Sequence, residues 1–300
     1  MPPQYLALNM IKIPDEACTL GNVFNRHGRY KEALEWYERA LGRYEKALGV
    51  DHPDTLGTVH DMALVFDNQG QYEKALEWYG RALAGKEKAL GIDHSDTLRT
   101  VNNVASIFNN QGQYEKALQW YERALGGYEK ALGINHPHTL GTVNNMASVF
   151  RKQGQYEKAL EWYERALAGY EKALGVDHPG TLGTVHNMAL LFHNQGRYEK
   201  ALELYERVLA GRVKTLGVDH PDTVHTVHRM ALVFDDQGQY EKALGWYERA
   251  LAGREKALGV DHPHTQKTLR CLVNLRESVG QIRQAQTLHA RLYASGSPHN

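Results

Sequence analysis

The segment Asp54–Ser95, DTLGTVHDMALVFDNQGQYEKALEWYGRALAGKEKALGIDHS, decides the fold. From Thr55 to Asn68 its apolar residues fall at Leu56, Val59, Met62, Ala63 and Phe66. That i, i+3, i+4, i+7 spacing describes a helix with one buried face. Gln69-Gly70-Gln71 interrupts the pattern and puts glycine where a helix end takes the left-handed conformation. A second helix is expected from about Tyr72 to Leu90, with Tyr72, Ala75, Leu76, Tyr79, Ala82 and Leu83 on its inner face. Gly91-Ile92-Asp93-His94-Ser95 closes the segment; other copies carry Pro53, Pro137 or Pro179 at the last position, ready to start the next helix.

Working outward, the segment recurs. Glycine returns before a turn at Gly28, Gly70, Gly112, Gly154, Gly196, Gly238 and Gly280, each 42 residues from the last. Histidine follows Asp or Asn in the same phase at His52, His94, His136, His178, His220 and His262. A two-helix hairpin cannot bury its apolar stripe alone, and stacking copies side by side does so through neighbour contacts. Ala63, Ala75 and Ala82 set the close approaches, while Phe66, Tyr72 and Tyr79 fill between hairpins. Glycine inside the second helix (Gly85, Gly127, Gly169, Gly211, Gly253) costs about 0.8–1 kcal/mol against alanine, so it marks close packing, or else a kink or hinge.

Leu or Met, Ala, Phe, Gly-x-Tyr, Ala, Tyr and Ala at this spacing resemble the tetratricopeptide (TPR) repeat. Its typical period is about 34 residues, so this one carries extra length in its second helix. With Gly-Val-Asp-His-Pro at Gly49–Pro53, Gly175–Pro179, Gly217–Pro221 and Gly259–Pro263, the chain resembles the 42-residue TPR of kinesin light chains. It is still more similar to the C-terminal arrays of NLR-like nucleotide-binding receptors. The resemblance implies an all-α, right-handed superhelical TPR solenoid of about seven antiparallel helix hairpins. Residues 15–293 form the array, after an N-terminal extension at 1–14 and before a disordered tail at 294–300. The first repeat, with helix one from about Asp15 to Arg26, and the last, with Val273, Arg276, Ile282, Ala285 and His289, depart from the pattern as caps; Gln284, Gln286 and Arg291 would solvate the final face.

Variation between copies is confined. Tyr-Glu-Lys-Ala-Leu recurs unchanged in helix two at Tyr72, Tyr114, Tyr156, Tyr198 and Tyr240, and helix one keeps Thr58, Ala63 and Phe66. Six helix-one positions change character: those of Gly57, His60, Asp61, Leu64, Asp67 and Asn68. At about 100° per residue they lie opposite the core stripe, on the side that the resemblance implies lines a concave groove. Neutral drift of solvated residues is the alternative, but drift would also have scattered the Glu73–Lys74 pairs. Candidate partner-binding residues are Arg99, Asn102, Asn103, Ser106, Asn110, Asn144, Asn145, Ser148, Arg151, Lys152, His186, Asn187, His228 and Arg229. Asn103, Asn145 and Asn187 match the asparagine that bonds a peptide backbone in peptide-binding TPR proteins; an amide donates and accepts at once. Arg99, Arg151, Lys152 and Arg229 add donors suited to carboxylates, which points to an extended, acidic peptide, although Asp61, Asp67, Asp235 and Asp236 oppose it near both ends.

Composition excludes other classes. Lys+Arg and Asp+Glu each number 35, and this balance lacks the single-sign field of a nucleic-acid or anionic-membrane binder. Cys18 and Cys271, far apart and without CxxC, exclude a disulfide framework and a thiolate zinc site and suit a reducing compartment. The stretch Met1–Leu20 is broken by Lys12, Pro14 and Asp15, a poor signal peptide, and a cytoplasmic location is expected. The linker histidines are too dispersed to converge. His225 and His228 share a helix face that His186 could approach, but no carboxylate or cysteine ligand set accompanies them as a zinc or pH-switch site would need. Nucleotide-binding, nucleophile-elbow and zincin motifs are missing. Trp36, Trp78, Trp120, Trp162 and Trp246 read as packing, and Glu35–Arg39, Glu161–Arg165 and Glu203–Arg207 as surface pairs. The expectation is a non-enzymatic scaffold for a protein or peptide, without cofactor, metal or small-molecule substrate. It serves as the sensing or assembly module of an NLR-like receptor, as a kinesin-light-chain-like cargo adaptor, or as a self-associating array.

Overall fold

The computed structural model describes the backbone of residues 3–294 and the side chains of residues 15–292. Its described residues form fourteen α-helices and no strand, grouped in two compact units, Met1–Gln153 and Gly154–Asn300. The first unit holds α1 (Pro3–Arg26), α2 (Tyr30–Leu48), α3 (Pro53–Asn68), α4 (Tyr72–Leu90), α5 (Ser95–Asn110), α6 (Tyr114–Leu132) and α7 (Pro137–Lys152). The second holds α8 (Tyr156–Leu174), α9 (Pro179–Asn194), α10 (Tyr198–Leu216), α11 (Pro221–Asp236), α12 (Tyr240–Leu258), α13 (Pro263–Ser278) and α14 (Ile282–Ala294). The expected α4 has the observed bounds. Helix α1 is longer than expected: it starts at Pro3 and runs through Pro14 without a break, so the proposed extension is helical from residue 3. Of the proposed disordered tail, residues 295–300 lie outside the described residues.

In the first unit each helix packs on the next along the chain, α1 on α2 through α6 on α7. Tyr37, Tyr79 and Tyr121 are buried in helix two of successive repeats, Tyr37 in one cluster with Ala33 and Ala82, and Tyr79 in another with Ala63 and Ala75. In the second unit α8 to α14 repeat the scheme around Tyr163, Tyr205 and Tyr247. The helix-two glycines are close-packing positions. A Cβ on Gly127 would lie 2.5 Å from Leu98, on Gly211 2.7 Å from Leu182, and on Gly253 2.7 Å from Val224. No side chain fits there without displacing the preceding helix one, which carries Leu98, Leu182 and Val224.

The linker histidines have a structural task. The Nδ1 of His52, His94, His220 and His262 accepts the backbone N–H two residues on, each at 3.2 Å, and so caps the next helix. Beside each cap a threonine hydroxyl donates to the carbonyl of the preceding glycine, as Thr55 does to Gly49 at 2.8 Å. Gly70 and Gly91 take φ of +72° and +96° at the two turns of the repeat, where only glycine is unstrained.

Candidate functional site

The unchanging face of helix two is tied between repeats. Arg81 pairs with Glu45 and Arg207 with Glu171, each at 2.5 Å, and Arg123 pairs with Glu87 and Arg291 with Glu255. Two turns further on, Lys88 meets Asp51 at 2.6 Å, and Lys130 meets Asp93, Lys214 meets Asp177 and Lys256 meets Asp219 at 2.5 Å. Lys74, Lys116, Lys200 and Lys242 lie over Phe66, Phe108, Phe192 and Phe234. These are contacts, not idle charges, so the constancy of helix two has its own structural cause and is no measure of drift. Arg207 also bonds outward to α8, instead of to Glu203 in its own helix as the sequence suggested.

The varying side of helix one is layered. The deepest layer is centred on an invariant threonine. Thr100 donates its hydroxyl to the Asp96 carbonyl at 3.1 Å, which leaves its lone pairs for neighbours. His60 Nδ1 lies 3.0 Å from that oxygen and Lys86 Nζ 3.2 Å from it. His60 Nε2 in turn sits 3.3 Å from the Asn103 amide nitrogen. Both ring nitrogens are therefore used by a neutral imidazole that donates at Nδ1 and accepts at Nε2. Burial, with Lys86 and Arg99 nearby, holds its pKa well below the usual range. Elsewhere in the first unit Thr58 has Cys18 at this place, and Thr142 has Asn102 at 3.2 Å. In the second, Thr226 accepts from Arg212 at 2.9 Å, while Thr268 accepts from Arg254 and has His228 at 3.4 Å.

This layer corrects part of the sequence reading. His228 is 3% exposed and His186 7%, so both sit beneath the wall and do not present to a partner. Asn102 and Asn144 are half-buried, Asn102 being engaged with Thr142. His186 does approach His225, with ring centroids 5.2 Å apart. Among the described residues no group of three His, Cys, Asp or Glu could hold a metal.

The outer layer remains accessible. Asn103, Asn145 and Asn187 are half-buried on helix one of three successive repeats. Asn103 gives its amide nitrogen to His60 and to the Tyr79 hydroxyl at 3.2 Å, and its carbonyl oxygen has no partner among the described residues. Asn145 makes no hydrogen bond among the described residues. Ser106 meets the Tyr121 hydroxyl, and Ser148 lies 3.5 Å from Arg151. Lys152 reaches the Asn109 carbonyl at 3.3 Å, its pKa lowered by burial. Asn110 is exposed, as is Arg99, which lies 3.5 Å from Asp96. Arg229 is half-buried, with Nε 3.4 Å from His225 Nε2.

Sequence reasoning missed a set of basic residues that face this wall from helix two. The second-helix position held by Tyr44, Tyr128 and Tyr170 is Lys86, Arg212 or Arg254 in the other repeats. Lys86 is 1% exposed and Arg254 3%. Burial brings Lys86 down to about 8, and Arg254 to about 10 with help from Arg229. Lys86 opens on a cleft of about 250 Å³, lined in part by Cys18, Tyr44, Asp61, Asp96 and Arg99. The alternation of Tyr with Lys or Arg at one register was the available signal; a lysine in a charged helix otherwise reads as solvated.

The tetratricopeptide repeat model matches overlapping segments 15–88, 57–130, 93–172, 139–212, 181–256 and 224–295. No curated protein is matched by sequence. A crystal structure of a Podospora anserina protein assigned as a kinesin light chain, with nearly identical TPR-like repeats, is 28% identical. It covers 68% of this chain and 97% of its own, with a TM-score of 0.53. BtubC (BKLC) from P. vanneervenii is 20% identical over 83% of this chain and 94% of its own, TM-score 0.59. The Rap conjugation gene regulator of plasmid pLS20, in complex with the Phr* peptide, is 15% identical over 93% and 72%, TM-score 0.67. The chain belongs to the tetratricopeptide repeat family, with repeats of the kinesin-light-chain type.

Proposed function

We propose that this repeat protein is a non-catalytic scaffold that holds an extended peptide segment of a protein partner along the varying side of its first helices. The observation that carries this reading is Asn145. A half-buried, solvent-accessible amide with no hydrogen bond among the described residues keeps both its donor and its acceptor available to a ligand. An extended backbone, with N–H and C=O in alternation, supplies what an amide lacks. Asn103 offers the same, since its engaged nitrogen leaves the carbonyl oxygen for a peptide N–H. Support from outside the chain is the peptide complex of the pLS20 regulator, a likeness of fold.

The test is direct. Asn103→Ala combined with Asn145→Ala is expected to weaken binding of a partner peptide, selected from a library on the wild-type protein, by roughly tenfold or more. Circular dichroism should show a melting temperature near that of the wild type. Unchanged affinity in this variant would remove the proposal. Assignment as an NLR-type sensing module or a kinesin-type adaptor is a finer question, answered by the identity of the selected partner.

A further inference from the structure

The last hairpin departs from its sisters at two neighbouring positions. In sister repeats a helix-two tryptophan shares a cluster with a leucine of the preceding helix two, Trp78 with Leu41, Trp120 with Leu83 and Trp246 with Leu209. A phenylalanine of helix one stands beside it: the ring centroids of Phe66 and Trp78, and of Phe234 and Trp246, are 6.2 Å apart. One repeat on, α13 carries Arg276 in the place of Phe234, and α14 carries Leu288 in the place of Trp246. Both rings are lost from one slot. A cleft of about 380 Å³ lies there, between α12 and α14, with Leu251, Leu272 and Leu288 in its apolar lining. Leu251 and Leu272 form a buried floor, while Leu288 is half-buried and Ala252 is exposed, so the apolar wall can be reached from solvent.

The rim is set by ion pairs. Arg276 joins Glu248 and Arg291 joins Glu255, and Arg276 also donates from Nη1 to Gln281 at 2.6 Å. Each cation has its carboxylate, so the rim has no net field to select a charged ligand. Arg291 follows Leu288 by three residues, the spacing at which Arg39, Arg81, Arg123, Arg165 and Arg249 follow a tryptophan. Those five guanidinium groups lie 4.9–5.7 Å from the indole centroid. Arg81 and Arg123 do so while pairing with Glu45 and Glu87, so the bond to Glu255 does not keep Arg291 from a ring.

We propose that this cleft binds a free, uncharged, planar aromatic molecule about the size of indole, its edge on Leu288 and the apolar floor and its face toward Arg291. The molecule takes the place of the ring that sister repeats supply from their own chain. A guanidinium attracts the negative face of an aromatic ring, which an aliphatic ligand of equal size lacks. The volume suits two fused rings, given that a dry apolar cavity of about 150 Å³ holds benzene. The lining runs over Glu248–Glu255 of α12 and Gln284–Arg291 of α14, roughly 10 Å of helix in each case. That length accommodates one bicyclic ring and not an extended chain. The site belongs to helix two of the last repeats and does not rest on the groove reading.

The experiment is a ligand-observed NMR titration of the full chain with indole, with cyclohexylmethanol as a non-aromatic ligand of similar size, and with the tripeptide acetyl-Gly-Trp-Gly-amide. The wild type should bind indole more tightly than cyclohexylmethanol by about fivefold or more. Leu288→Trp restores the sister residue and should abolish indole binding, with a melting temperature at or above that of the wild type. Should that variant lose helix content, Ala252→Leu fills the cleft from exposed α12 surface and carries the same test. Absence of indole binding to the wild type overturns the proposal, as does binding that survives a folded filled variant. Equal affinity for cyclohexylmethanol would make the cleft an unselective apolar dent and also overturns it. A tripeptide that binds more tightly than free indole would make the cleft an anchor for a partner's side chain, and the assignment to a free molecule fails. Asn103→Ala with Asn145→Ala should leave indole binding unchanged, which separates this outcome from that of the groove reading.

Discussion

The pair Asp61–Lys86 in the first unit and the pair Arg229–Arg254 in the second occupy the same two positions of the repeat, with the same chain separation. In the first, burial and then Arg99 lower the lysine pKa, while Asp96 and Asp61 pull the other way. In the second, two guanidinium groups repel each other at the base of the wall. Between them lie two repeats, with Asn103 and Tyr128 and with Asn145 and Tyr170, that carry no charge at either position, and one, with Asn187 and Arg212, that carries a single cation. The backbone tolerates all four combinations because the helix-two tyrosines and the close glycine positions recur in each of these repeats. One scaffold register can thus hold opposite charges, no charge, one cation or two cations.

The contrast can be broken. Asp61→Arg would install the repulsive pair beside Lys86 and should destabilise the protein by about 3 kcal/mol, as losing the partner of a buried charge does. Urea unfolding would read this as a lower midpoint with an unchanged slope. Acid provides the next effect. An unfolded histidine takes up a proton near pH 6.5, whereas His228 resists until about pH 2, so its contribution is complete above pH 6.5 and declines as the pH falls below it. By pH 5 the loss is of order 2 kcal/mol for this one group. His228→Asn, which copies Asn102, should flatten the decline in melting temperature between pH 7 and pH 5. An equally steep decline in the variant would mean that His228 is not held neutral.

Arg229→Asp sharpens the comparison from the other side. By placing at this position the carboxylate that the Lys86 repeat carries, it should raise stability by about 1 kcal/mol. A lower melting temperature would show that Arg229 is a structural residue. The smallest effect belongs to the outer face. Lys88→Ala breaks an exposed pair with Asp51 and should change stability by less than about 0.5 kcal/mol, fading further in high salt.

Much of this was legible in the sequence, for identifiable reasons. The bounds of α4 follow from Gly70, Gly91 and a 3.6-residue apolar period, and the crowding at Gly127 from a glycine fixed where alanine is the better helix former. The start of α1 was hidden because Lys12, Pro14 and Asp15 look like a break, yet the helix passes through them. The site was read at half depth. Angular position puts Asn103, Asn145 and Arg229 on the varying side, where the structure leaves them half-buried. It could not separate them from His186 and His228 one residue earlier, which packing against the neighbouring helices buries. Lys86, Arg212 and Arg254 escaped because burial of a charged residue is set by the neighbouring hairpin, not by the local pattern.

Two parallel double-mutant cycles bear most directly on the central claim. Asp61→Asn with Lys86→Tyr, and Arg229→Asn with Arg254→Tyr, use only residues that sister repeats already carry at those positions. Urea unfolding of each single and double variant would give the two coupling energies. The account predicts opposite signs, favourable by about 1 kcal/mol for Asp61 with Lys86 and unfavourable by a similar amount for Arg229 with Arg254. Couplings of the same sign, or none in either unit, would contradict it.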